Sequence, residues 1–93
     1  MKTIIQHEKQ CLVCGSWNIE DHHIFFGVSK RPLSEKYGLK VWLCPTHHRG
    51  TQGVHGRDGH KLDMELKQLG QKSFEYHYGD RDEFIKLFGK SYL

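Results

Sequence analysis

All three cysteines and six of the eight histidines of this 93-residue chain lie between positions 11 and 60. One cluster runs Cys11-Leu12-Val13-Cys14 and then Asp21-His22-His23-Ile24; the other runs Leu43-Cys44-Pro45-Thr46-His47-His48, with His55 and His60 shortly beyond. Thiolate and imidazole are the donors of zinc and neighbouring transition metals. Cys11 with Cys14, and Cys44 with His47, each have the two-residue spacing at which a tight turn offers two donors to one ion. Four N/S ligands in two such pairs are what closed tetrahedral zinc sites use. His48 is the alternative to His47 as the fourth ligand. Three thiols cannot all pair internally, so a reducing compartment would keep them free for metal.

The paired His22-His23 suggests a different chemistry. Adjacent residues on a strand point to opposite faces, so these two imidazoles cannot easily share an ion and can take separate jobs. A histidine near its ordinary pKa of ~6.5 is suited to deprotonating water at neutral pH. Its second ring nitrogen is expected on a backbone carbonyl, which would fix the tautomer. His55 sits in a glycine-rich stretch that would let it reach back towards His48 as a metal ligand or a phosphate contact. Arg49 and Arg57 are candidates for clamping phosphate.

Elements must exist to position these groups. Residues 1–10 read as a short leader or strand, and Gly15 supplies the turn after the first cysteine pair. Ile19–Val28 is rich in β-favouring residues and reads as a first strand, with Leu39–Leu43 as the second. The polar connection between them has room for one helical turn at Leu33–Tyr37. Pro45 suits the first position of a short helix carrying His47 and His48, ending by Gly50 or Gly53. Residues 50–56 are too rich in glycine for regular structure. Asp58 is placed to cap a further helix with Leu62, Leu66 and Leu69 on one face, whose passage through Gly70 is left open. Asp80-Arg81-Asp82-Glu83 resembles a capping box, opening a last helix with Phe84, Leu87 and Phe88 inward and Gly89 at its end. Most aromatic residues are expected in the core, and Tyr92 and Leu93 should tie down the tail. The expected fold is therefore α+β: a hairpin, a short helix, then C-terminal helices.

Composition limits the alternatives. The length suits one domain over residues 1–93. A hydrophobic content of 37% and a mean hydropathy of −0.68 imply a modest core that a metal would help to hold. No apolar run approaches the ~20 residues of a bilayer span, and the N-terminal residues lack a secretory pattern. A soluble, cytoplasmic protein is expected. The formal charge of +3 permits nucleic-acid binding, and Lys30, Arg31, Lys36, Lys40, Arg49 and Arg57 gather between or beside the clusters.

Asp21-His22-His23-Ile24, followed about twenty residues later by Leu43-Cys44-Pro45-Thr46-His47-His48, resembles the HNH endonuclease family over roughly residues 11–60. The resemblance implies the ββα-metal fold, in which a hairpin and a short helix grip one divalent ion, here braced by zinc, with a helical part over about 60–93. It implies His23 as general base, His22 and His48 with His55 as ligands of the catalytic ion, and Cys11, Cys14, Cys44 and His47 around structural zinc. His47 then stands where the family has a second cysteine. The family's middle asparagine has no counterpart in Tyr37-Gly38-Leu39-Lys40-Val41, so the backbone alone, or Ser34 or Lys40, would have to hold the base. The implied activity is metal-dependent hydrolysis of DNA phosphodiesters with Mg2+ or another divalent ion such as Mn2+, Ni2+ or Zn2+. A monomer would nick, whereas cutting both strands would take a homodimer or successive nicks. Small members of this family occur in phages and prophages, which would place the protein in the host cytoplasm. The competing expectation is a non-catalytic zinc module that binds nucleic acid or protein.

Overall fold

The computed structural model describes residues 3–93. In chain order it contains β1 (Glu20–His23), α1 (Arg31–Tyr37), β2 (Lys40–Leu43), α2 (Pro45–His48), α3 (His60–His77) and α4 (Arg81–Phe88). The two strands pair antiparallel, with Glu20 opposite Leu43, Asp21 opposite Trp42, His22 opposite Val41 and His23 opposite Lys40. This is a small α+β fold, as the patterning predicts. Among the described residues no helix is long and apolar enough to cross a membrane.

The first strand is shorter than the expected Ile19–Val28, and the cause is local. Ile24 still donates its N–H to Leu39 O at 3.0 Å, which continues the ladder by one bond. At Phe25 the pairing stops, because both of its backbone polar groups are met by the buried Ser34 hydroxyl: Phe25 N donates to Ser34 Oγ at 3.0 Å, and Ser34 Oγ donates to Phe25 O at 2.7 Å. Released from the sheet, Phe25 enters the core against Phe88, with ring centroids 4.7 Å apart. The polar connection forms α1, two residues longer at its start than the expected turn, and ends at Gly38 in the left-handed region (φ 69). Among the described residues, 3–10 form no strand. They cover the outer edge of β2 through side chains, with Trp42 N donating to Gln6 Oε1 at 2.6 Å. The part of the expected leader at Met1 and Lys2 lies outside the described residues.

α3 runs through Gly70. A Cβ at that position would lie 2.9 Å from the Phe25 ring, so the bare glycine lets the helix cross directly over Phe25. That close approach offsets the ~1 kcal/mol an interior glycine costs a helix relative to alanine. The N-cap of α3 is Gly59, without a side-chain cap bond; Asp58, expected there, instead pairs with Arg57. α4 opens as expected, with Asp80 Oδ1 accepting from Glu83 N at 2.9 Å. Phe84 and Phe88 are buried, one turn apart and stacked, but Leu87 is rotated off that face and exposed, as Leu69 is on α3. The tail is tied down: Tyr92 N donates to Gln71 Oε1 at 2.7 Å, and Gln68 Nε2 donates to Tyr92 O.

Candidate metal centres

The donor atoms of Cys11, Cys14, Cys44 and His47 all lie within 4.8 Å of one another. Two turns bring them together. In the first, Gly15 takes φ 77 and donates its N–H back to Cys11 O at 2.9 Å. In the second, Cys44 precedes the proline that starts α2, and His47 follows on the same turn. The Cys14–Cys44 sulfurs are 3.7 Å apart, as are Cys11 Sγ and His47 Nδ1, while Cys44 Sγ and His47 Nδ1 are 3.2 Å apart. Thiolates ~2.3 Å from a tetrahedral ion have edges of about 3.7 Å, so the spacing is compatible with zinc. No disulfide competes, since all three cysteines are free. Burial opposes ionisation of Cys11, but hydrogen bonds from the backbones of Cys44, Cys14 and Val13 outweigh it and bring the thiol down to about 6. Such a thiol gives up its proton to a metal readily.

His22, His48 and His55 form a second group, again with donor atoms within 4.8 Å of one another. His22 comes from β1 and His48 from α2. His55 is delivered by the glycine loop, which folds back on α2: Val54 N donates to His47 O and His55 N to His48 O, both at 3.0 Å. Gly53 permits this fold, because a Cβ there would sit 2.7 Å from the His47 carbonyl carbon. The neighbours His47 and His48 thus belong to different clusters, and His47 rather than His48 completes the cysteine group.

The electrostatics of the second group suit a cation. His22 is 1% exposed, and its Nε2 is buried without a hydrogen-bond partner among the described residues. Burial, followed by the neighbouring His48 and His55, pushes its pKa down to about 3. His55 is lowered by burial and then by His48. A buried, neutral imidazole whose free nitrogen faces two others has the character of a metal ligand. His48 Nδ1 lies 2.7 Å from Glu20 Oε1. As an ionised carboxylate only accepts, Nδ1 must carry the proton, which leaves Nε2 for a metal. Glu20 is kept ionised, its pKa lowered to about 2 by Arg49 and then His48. Three protein nitrogens with room for a further ligand is the pattern of catalytic rather than structural zinc. Imidazole donors fit Zn2+ or Ni2+; Mg2+, which takes oxygen ligands and keeps its waters, is a poor match.

A cavity of about 230 Å³ opens beside this group, lined by Asp21, His22, His23, Phe26, Arg31, His48 and His55. His23 stands at its edge, on the other strand face from His22 as alternation requires. It also borders a larger cavity of about 500 Å³, lined with it by Gly27, Val28, Arg31, Pro32 and Glu35. The expected backbone carbonyl is not its partner. His23 Nε2 bonds Glu35 Oε1 at 3.1 Å, and the other Glu35 oxygen holds the Lys40 ammonium. Ser34 fixes the backbone after β1, and Lys40 reaches His23 only through Glu35.

The arginines are placed otherwise than expected. Arg49 is engaged by Glu20, and exposed Arg57 pairs with Asp58. Neither lines the histidine cavity, whereas Arg31 lines both cavities. Sequence reasoning missed Glu20, Glu35 and Arg31 as site residues. For Glu20 a signal existed, since two-residue alternation puts it on the same strand face as His22. His60 begins α3 and joins neither cluster. Compared with known proteins, the chain matches no family model, no curated protein and no solved structure.

Proposed function

We propose that the chain is a metal-dependent DNA endonuclease of the HNH, ββα-metal type. The observation that carries this reading is the split at His47 and His48. It gives one donor set suited to a structural ion, and beside it a three-imidazole set opening on a cavity whose edge holds a separately bonded histidine. The β1–β2–α2 arrangement, with one ligand from a strand and one from the short helix, supports the ββα-metal assignment. A silent zinc module would need the cysteine cluster alone and would leave the buried Nε2 of His22 without purpose.

The residues divide the reaction as follows. His22, His48 and His55 would hold a divalent ion, whose charge would stabilise the departing 3′ oxygen. His23 Nδ1 takes a proton from water as the water oxygen bonds to phosphorus. The bond from phosphorus to the 3′ oxygen breaks, and that oxygen leaves with a proton from solvent. Arg31, which lines both cavities, would meet the phosphate, the role the sequence suggests for Arg49 and Arg57.

The test is cleavage of supercoiled plasmid with Zn2+, Ni2+, Mn2+ or Mg2+ by wild type and His23→Ala. Wild type should nick, with Ni2+ or Zn2+ outperforming Mg2+. The variant should lose roughly 10²–10⁴-fold in rate, the usual worth of a general base, while both metals stay bound. Equal inactivity of the two proteins, with DNA binding intact, would defeat the nuclease reading.

A further inference from the structure

His23 and Lys40 face each other across the antiparallel strand pair, so their side chains rise from the same face of the sheet. α1 lays Glu35 over this pair and gives one carboxylate oxygen to each. Lys40 is 1% exposed. A buried ammonium needs a paired anion, so Lys40 fixes where the carboxylate sits. Among the described residues Glu35 is the one hydrogen-bond partner of the His23 ring, which is otherwise flanked by cavities.

We propose that Glu35, anchored by buried Lys40, is a positioning residue that holds His23 in the tautomer with its proton on Nε2 and its lone pair on Nδ1. The inference rests on the nuclease reading for its consequence in catalysis, but the tautomer itself does not. The chemistry follows from acceptor counting. An ionised carboxylate has no proton to donate, so the nitrogen facing it must bring one. Glu35 stays ionised, its pKa lowered to about 2 by Lys40 and then His23. The bond also restrains ring rotation at the meeting point of the two cavities.

The anchor makes a specific prediction for Glu35→Gln. The amide has one acceptor and one donor end, and Lys40 demands the acceptor. The NH2 group is then turned to His23, which must accept on Nε2 and carry its proton on Nδ1. That is the wrong tautomer for a base at Nδ1. Replacing the anchor as well, in Lys40→Met/Glu35→Gln, removes the demand and lets the amide oxygen turn to His23.

In plasmid cleavage, Glu35→Gln should lower kcat by at least 100-fold with KM and metal content little changed, while the melting temperature falls because the buried Lys40 ammonium loses its paired anion. The double variant should regain at least tenfold over Glu35→Gln. Long-range ¹H–¹⁵N NMR of the His23 ring, which does not depend on activity, should show Nε2–H in wild type and in the double variant, and Nδ1–H in Glu35→Gln. Wild-type kcat in Glu35→Gln while His23→Ala is dead would overturn the inference and leave the nuclease reading standing. So would an Nδ1–H tautomer in wild type. An inactive wild type with the expected NMR pattern would defeat the nuclease reading and leave the Glu35 clamp standing. If Glu35→Gln does not fold, the tautomer of wild type and the kcat and tautomer of the double variant decide.

Discussion

The cysteine and histidine clusters meet at the peptide bond between His47 and His48, yet they are built in opposite ways. The first draws its donors from two tight turns and needs little beyond them: Cys11 and Cys44 are buried, and the sulfurs and His47 face one another. The second draws one histidine each from a strand, a helix and a loop, and lies against a cavity. Its His48 is held from outside by Glu20, which is itself held by Arg49. A centre that only has to brace a fold can be closed and local. On the proposed nuclease reading the second centre must keep a position open, and outer partners then do the orienting that a closed shell would do by itself.

The most severe way to break this contrast is through the first cluster. Structural zinc supplies apparent binding energies of about 10–16 kcal/mol in small modules, comparable to the whole stability of a domain this size. Cys44→Ser should therefore lose one zinc per chain and most of its cooperative thermal unfolding, read by metal analysis and circular dichroism. Undiminished zinc and an unchanged melt would remove the bracing role.

The second cluster should show itself in acid. His22 titrates near 3 when folded and near its ordinary value when unfolded. Between those limits the unfolded chain binds the extra proton, so the contribution of His22 to stability falls as pH drops below about 6.5. The slope is at most about 1.4 kcal/mol per pH unit. Denaturant melts at pH 5–6.5 should be steeper in pH for wild type than for His22→Phe, with the zinc site loaded in both. Parallel curves would mean that His22 is not held neutral by burial.

The smallest effect separates the two centres most cleanly. Glu20→Gln should weaken Ni2+ or Zn2+ binding at the histidine cluster by roughly 10–100-fold, the usual worth of an outer-shell carboxylate, and leave the cysteine cluster unaltered. Titration calorimetry on protein already carrying its first zinc would measure it. Equal weakening of both centres would show that Glu20 supports the fold rather than the ligand.

Legibility of this chain in its sequence follows distance along it. The donor pairs at two-residue spacing, the opposed faces of His22 and His23, the proline start of α2 and the Asp80 cap are all set within a few residues, and each stands in the structure. The end of β1 was not legible, because it depends on a hydroxyl nine residues away at Ser34 satisfying the backbone of Phe25. Nor was the course of α3 through Gly70, since the reason for that glycine is a ring from another element.

By itself the sequence determined which atoms were available: soft donors in pairs, imidazoles next to one another, and a strand whose alternation keeps two histidines apart. Only the tertiary structure decided how they are shared. The fold assigns His47 to sulfur and His48 to nitrogen, gives Glu35 to His23 and Glu20 to His48, engages Arg49 with Glu20 and brings Arg31 to both cavities. Those outcomes depend on contacts between residues 8 to 36 positions apart. Local propensity cannot encode such contacts, because they form only once the strand pair, the short helix and the glycine loop have closed on one another.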